Sequence, residues 1–464
     1  MAVMLGPQGV GLLSMLRQIR QTALSFGTIN GQTALVQGIA SHKDDKDKVA
    51  YISSVFWIVL LAGTTVSVLL VIFASQISDA VLSSNDPKTI TLVRWLALPI
   101  FLNVAASFLS GVLNGYRYIG RLAMAGVAGA FVMAMLSYPT ANFVYNGHLI
   151  AFIYMMTGSA IAAISTSIYF LQKELNIISI LSKSMTHIKL WAVKYFFSFS
   201  GTLLITGLAS TGTLLIIRSM VIHSKGLTGA GIFDVAWTLS MMYVGLVTQS
   251  FGTYYMPTLS QITDNGERIV LMRKLFRLAT LLMVPIIIAV IALKPLVIHL
   301  LYSVEFLPSL DIIRWMLIGD YLKVTSWVLA FPLLSYADMK TFLWTELLWN
   351  GFLLSGGYVA LILWGHLEGI GILFVLSYST YLIFTYFYCK IRFKFSLTKK
   401  MTLHWVGGLI FILIASYCNW NLSNVHYLSA LLWIMGGILI SLIGTEKKER
   451  KKVVEIIGKI RWNT

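Results

Sequence analysis

The chain has 464 residues, of which 57% are hydrophobic and only 11% charged. Water-soluble globules average about 45–50% apolar and about 25% charged residues, so this composition excludes an ordinary soluble domain and makes lipid the solvent. The net charge of +17, from 35 basic against 18 acidic residues, would suggest nucleic acid in a soluble protein, but here the charges gather in loops, which is the positive-inside pattern and implies no nucleic-acid partner.

In chain order, apolar stretches of the roughly 20 residues that cross a bilayer fall at 9–41, 49–83, 88–116, 121–145, 149–172, 194–222, 229–262, 273–302, 309–337, 341–364, 369–389, 403–420 and 427–444, thirteen in all. Loops after the odd-numbered spans contain "HKDDKDK", "YRYIGR", "KSMTHIK", "GERIVLMRK", "DMK", "KIRFKFSLTKK" and "EKKERKK". The intervening loops hold few lysines or arginines. The basic set is therefore expected in the cytoplasm, with Met1 outside and Thr464 inside. No charged n-region with a cleavage site opens the chain. Residues 171–191 and 447–464 mix lysines with regularly spaced apolar residues. Both suit the inner leaflet surface, and the tail suits a solvated terminus equally well. The expected organisation is a helix bundle at 1–173, a cytoplasmic interfacial linker at 174–193, a second bundle at 194–393, an additional helix pair at 394–446 and a basic tail at 447–464. Cys389 and Cys418 fall at opposite membrane faces and are expected to be free thiols.

The halves resemble each other. "LVRWLALP" (92–99) recurs as "IIRWMLIG" (312–319), an offset of 314 − 94 = 220. Leu102, Val104, Leu109 and Tyr116 have Leu322, Val324, Leu329 and Tyr336 at the same offset, and "GPQGVG" (6–11) has "GLTGAG" (226–231). "SFGT" occurs at 25–28 and 250–253. Together these indicate an internal duplication. Paired spans run in the same direction, so the repeats are parallel, with the symmetry axis along the membrane normal. The fold class expected is an all-α polytopic membrane protein of two parallel-repeat bundles around a central cavity. Parallel repeats need an even number of spans each. The counterpart of span 194–222 would precede Met1, so a further helix is expected upstream, or else the gene copy is damaged.

Charges inside spans mark the candidate site. Arg17 and Arg20 lie deep in the first span, and Asp320 and Lys323 are similarly deep in the ninth. Arg218 and Asp234 lie nearer outer ends. A charge at the bilayer centre costs about 2.5–3.5 kcal/mol on insertion scales, so these side chains are expected to face a hydrated cavity. Ser14, Arg17, Gln21, Ser25, Thr28 and Gln32 step by three and four residues along one face of the first span. That stripe reads as a cavity lining, the alternative being a polar seam between packed helices. Arg94 and Arg314, each followed by Trp, read as interfacial anchors. Asp320 and Lys323 are one turn apart and can neutralise each other. Asp234 is an outer-end charge or a partner for Arg218, and Glu346 is an interfacial residue. Arg17, Arg20, Gln21, Arg218 and Lys323 are thus the substrate-binding candidates. Asp234 and Asp320 are the candidates for coupling or charge pairing. The cationic excess suits a phosphate-bearing anion, because guanidinium pairs with phosphate bidentately and stays charged. The sequence contains no phosphate-binding loop and no His or Cys spacing for metal, so neither cofactor nor catalytic centre is expected, while proton or sodium coupling stays open.

"GYRYIG" closing the third span, "PTLSQIT" closing the seventh and "GDYLKV" in the ninth resemble the Wzx flippases, the polysaccharide-transporter branch of the multidrug/oligosaccharidyl-lipid/polysaccharide exporter superfamily. The resemblance is to O-antigen and lipid III flippases and covers about residues 1–393. It implies two six-helix bundles that open alternately to each side of the bacterial cytoplasmic membrane. It also implies transport of undecaprenyl-pyrophosphate-linked oligosaccharide, with Arg17, Arg218, Asp320 and Lys323 matching residue types of the family pattern. Its implied partners are the lipid-linked oligosaccharide and membrane lipids, with a glycan polymerase and a chain-length regulator as protein partners. The family's first helix is absent, and the pair 403–420 and 427–444 is additional. A drug or sodium antiporter of the same fold would present acidic residues to cationic drugs. A glycan polymerase or ligase would need a large outer loop. A structural scaffold would not need buried arginines.

Overall fold

The computed structural model describes residues 2–42, 44–182, 188–262, 264–336, 338–420 and 427–444, and these are helical apart from short connections. The helices are α1 (Ala2–Gly27), α2 (Gln32–Ser41), α3 (Asp45–Ile72), α4 (Ala74–Leu82), α5 (Pro87–Trp95), α6 (Ala97–Gly115), α7 (Ile119–Tyr145), α8 (Ala151–Leu175) and α9 (Ile177–Ser182), followed by α10 (Leu190–Gln261), α11 (Asn265–Leu301), α12 (Ser309–Ser335), α13 (Met339–Tyr358), α14 (Glu368–Phe393), α15 (Lys399–Cys418) and α16 (Tyr427–Gly444). Helix starts in the basic loops are set by side-chain caps. Asp44 accepts from Lys46 N, Asp264 from Glu267 N, Asp338 from Thr341 N and Thr398 from Met401 N. Each cap satisfies a backbone donor that has no partner within the helix.

Among the described residues, eleven helical segments are long and apolar enough to cross a membrane. One of them, 200–245, takes in parts of two expected spans, because α10 runs through both. The exception is the expected first span, 9–41. It divides into α1 and α2 at Ile29 and Asn30, both in left-handed conformation, and α1 lacks the apolar density of the eleven. The linker expected at 174–193 contains the end of α8, the short α9 and the start of α10. Residues 183–187 and the tail at 447–464 lie outside the described residues.

The chain forms two compact units, Met1–Gly231 and Ile232–Thr464. The boundary falls just past Gly226 in α10, not within 174–193. The reason is visible in the hydrogen bonds, since Gln18 Nε2 donates to Thr211 O at 2.9 Å and Asn30 Nδ2 to Leu203 O at 2.6 Å, tying segment 190–225 to α1 and to the turn that follows it.

In the first unit α2, α3, α6 and α8 enclose a core of Leu35, Tyr51, Val55, Val104 and Val112, into which Phe196 of α10 also packs. Tyr51 donates its hydroxyl to Ala34 O at 2.9 Å, which lets a phenol sit fully buried. In the second unit α12 is central, with α14, α11 and α15 against it. Gly319 on α12 faces the Phe374 ring at a distance no Cβ would allow. Cys389 and Cys418 are free thiols, as expected.

The duplication is written in the backbone. Gly6 breaks α1 at φ 60°, ψ −174°, and Gly226, 220 residues later, breaks α10 at φ 68°, ψ −174°. Both values lie where side-chain-bearing residues are strained. Tyr116 and Tyr336, also 220 apart, are the C-caps of α6 and α12.

Candidate substrate-binding site

In the first unit the site is built on α1 and segment 190–225 of α10. The two meet at their glycine motifs. A Cβ on Gly11 would overlap the Leu227 carbonyl oxygen, and one on Gly231 would overlap the Pro7 carbonyl oxygen. Because 7 + 220 = 227 and 11 + 220 = 231, the two contacts are mutual counterparts, a local two-fold relation between the repeats. Below that crossing Gln18 and Thr22 both donate to Thr211 O, at 2.9 and 3.3 Å. These contacts bracket Arg218, which is 5% exposed, at the level of α1 residues 11–18.

Arg17 and Gln21 are exposed on the face of α1 next to this seam. Arg20 reaches the other way. Its Nη1 donates to Asn103 Oδ1 at 3.2 Å, Asn103 donates on to Pro99 O at 2.7 Å, and Arg20 Nε is buried with no hydrogen-bond partner among the described residues. The hydroxyls of the expected stripe turn inward onto their own helix. Ser14 donates to Gly11 O, Ser25 to Gln21 O and Thr28 to Leu24 O. The polar face is thus narrower than the pattern suggests and centres on Arg17 and Gln21. The seam is carried instead by Gln18 and Thr22.

The second unit holds a separate charged group. Asp320 is fully buried and accepts from Ser240 Oγ at 2.8 Å and from the Tyr243 hydroxyl. Lys323 is 2% exposed and sits among four rings, with Nζ 5.1 Å from the centroid of Trp327, 5.3 Å from Tyr378, 5.5 Å from Phe374 and 6.0 Å from Trp237. It donates to Met241 Sδ at 3.3 Å. Among the described residues the two charges form no ion pair with each other. The carboxylate is held by hydroxyl donors and the ammonium by ring quadrupoles, and the two opposite charges also attract each other across the dry interior. Asp234 is buried in the same unit.

The two repeat-related arginines differ. Arg94 and Trp95 are exposed, as an interfacial anchor requires. Arg314 is 8% exposed, bonds Glu368 Oε1 at 2.8 Å and Asp311 Oδ1 at 3.2 Å, and stacks 4.0 Å from the Trp420 ring. It is a buried ion-pair node and not an anchor. Glu346 accepts from the Tyr381 hydroxyl at 3.2 Å. Sequence reasoning misses Lys294, which is 1% exposed on α11, although a lone cation in the apolar run "ALKPLV" is itself a signal. It also misses Ser240, Tyr243 and the rings around Lys323, which have no local signature.

Two relatives, the lipid III flippases of Escherichia coli (strain K12) and Shigella flexneri, are each 23% identical over 350 residues, covering 75% of this chain and 82% of theirs. Among solved structures, an inward-facing multidrug resistance MATE family transporter of the MOP superfamily matches with a TM-score of 0.66 at 15% identity, over 84% of this chain and 91% of its own. The lipid II flippase MurJ in its inward closed conformation matches with a TM-score of 0.62 at 13% identity, over 96% and 98%. These likenesses establish the fold as that of multi-pass, all-α MATE-type membrane proteins. The family described as polysaccharide biosynthesis protein matches residues 1–311 of 464, and the chain therefore belongs to it.

Proposed function

We propose that this protein is a flippase that carries an undecaprenyl-pyrophosphate-linked oligosaccharide, an O-antigen or related repeat unit, across the bacterial cytoplasmic membrane by alternating access. The observation that carries the reading is the cationic band of the first unit, where Arg17 lies exposed on α1 at the level of Arg218. A diphosphate and its glycan are too polar to cross hydrocarbon unaided. Guanidinium groups replace the water around the diphosphate with bidentate hydrogen bonds, while the polyprenyl tail stays in lipid. The names of the relatives, lipid III flippases, favour the same substrate class. A cation-coupled drug antiporter of this fold would present carboxylates in place of that band. Transport of this kind needs no covalent chemistry, and the reading is non-enzymatic. A glycan polymerase and a chain-length regulator are the protein partners it implies.

Deletion of the gene, followed by analysis of lipid-linked oligosaccharides on each leaflet, tests the proposal. Completed repeat units are expected to accumulate on the cytoplasmic leaflet. Undiminished delivery to the periplasm, in a strain without a redundant transporter, would refute it.

A further inference from the structure

The basic-loop ends of α11, α15 and α16 enclose a cavity of about 410 Å³ in the second unit. Arg273, Lys274 and Arg277 line it from α11, Lys400 and His404 from α15, and among the described residues its lining includes no acidic one. Two of these side chains are held in place. Arg273 donates from Nε to Ser396 O at 2.7 Å and from Nη2 to Ser396 Oγ at 2.9 Å. The His404 ring lies against Gly444, where any Cβ would overlap it, and His404 Nε2 is buried without a hydrogen-bond partner among the described residues. A glycine at the end of α16 is what admits the imidazole to the cavity.

Like charges gathered around one cavity repel, and an anion placed between them removes that cost. The depth of the cavity fits a lipid source. α15 has 20 residues, which at about 1.5 Å per residue matches the roughly 30 Å hydrocarbon thickness and sets Lys400 at headgroup level. Val270, 64% exposed, gives the cavity an apolar rim for acyl chains. We propose that this cavity binds the phosphate headgroup of an anionic phospholipid of the inner leaflet, which thereby clamps the added helices α15 and α16 to α11. None of its residues belongs to the substrate-binding set, so the proposal stands independently of the transported molecule.

The test is thermal unfolding of the purified full chain in neutral detergent, titrated with dioleoylphosphatidylglycerol, dioleoylphosphatidylcholine or sodium phosphate. Phosphatidylglycerol is expected to raise the midpoint, and the other two to leave it unchanged. Lys274→Gln with Lys400→Gln alters two exposed side chains and is expected to need about ten-fold more phosphatidylglycerol for the same rise. Lys340→Gln with Lys390→Gln, lysines of the basic end outside the cavity, should respond as the unaltered protein does. If the first pair is poorly folded, Lys274→Arg with Lys400→Arg keeps the charge and must keep the response. A normal response from the Lys274→Gln, Lys400→Gln pair, or an equal loss from the Lys340, Lys390 pair, overturns the site. An equal rise with sodium phosphate overturns the lipid as its occupant.

Discussion

Replacing Gly231 or Gly11 by alanine tests the crossing that joins the repeats. At each position the new methyl would meet a backbone carbonyl oxygen, of Pro7 or Leu227, inside the 3.4 Å at which ordinary contact begins. No side chain can rotate away, so the helices must part, by roughly 1.5 Å, and a gap of that size forfeits at least half of each dispersion contact along the seam. Overpacking of this kind costs about 1–3 kcal/mol, and each single variant is expected near 2 kcal/mol. The double variant is the sharper probe. Once one methyl has separated the helices, the second enters space already opened, so the pair should cost well under the sum. Gly212→Ala on the same helix is the control. Nothing lies within 4 Å of its Cβ, and alanine there should stabilise by about 0.5–1 kcal/mol. Denaturant unfolding in detergent, followed by circular dichroism, supplies the numbers. Neutral single variants, or a double variant equal to the sum, would show that the two contacts are not one crossing.

Arg17→Ala and Arg218→Ala should each lower surface glycan by more than ten-fold at matched expression, with the lysine variants partly active, because charge survives but the fork does not; wild-type glycan would argue against a substrate role. Asp320→Asn should restore part of the activity lost in Lys323→Ala, since the two buried charges attract each other, and no rescue would show that they act separately. Glu368→Ala removes the acceptor of both Arg314 and Trp315 and should cost about 1.5–3 kcal/mol in unfolding free energy. Single cysteines at 42–48 and 390–402, in a background lacking Cys389 and Cys418, should resist an impermeant thiol reagent in spheroplasts, whereas those at 146–148 and 365–368 should react. Labelling at 390–402 would invert the orientation.

The fold was legible because lipid simplifies the code. Apolar length and loop charge mark most helices, and a duplicated pattern at 220 residues is audible even through so apolar a composition. Gly6 and Gly226 illustrate this, since an identical backbone break demands the same permissive residue in both repeats. The site was less legible, and for a definite reason. Helical periodicity gives the face on which a side chain starts but not the partner it takes. Ser14, Ser25 and Thr28 share a face with Arg17, yet a hydroxyl in a helix can bond the carbonyl three or four residues back, and these do. Asp320 and Lys323 are one turn apart, yet the carboxylate takes donors 77 and 80 residues away. Such choices are tertiary, and no window of sequence contains them.

The departures from symmetry carry as much information as the symmetry. Arg94 and Arg314 are equivalent in the duplication, and each begins from the same "RW" pair. "GHL" at 147–149 recurs at 365–367, with left-handed Gly147 and Gly365 at φ 88° and 69°. That turn repeats at an offset of 218, so the position of Glu368 is held in the first repeat by Ile150. Asp311, the other acid on Arg314, has Thr91 at the 220 offset, so both acidic partners of Arg314 exist in one repeat only. Trp420, which stacks on Arg314, lies in the turn just past α15, a helix of the additional pair without a first-repeat counterpart. An arginine left without these partners stays where its charge can reach the interface, as Arg94 does. Given them, the same arginine becomes buried structure joining α12, α14 and the added helices. An Ile150→Glu substitution together with Thr91→Asp separates these causes. If the acids alone decide, the exposure of Arg94 should fall, read as loss of Trp95 quenching by aqueous iodide. If Trp420 is also required, quenching stays unchanged, and the added helix is the element that turned an anchor into a joint.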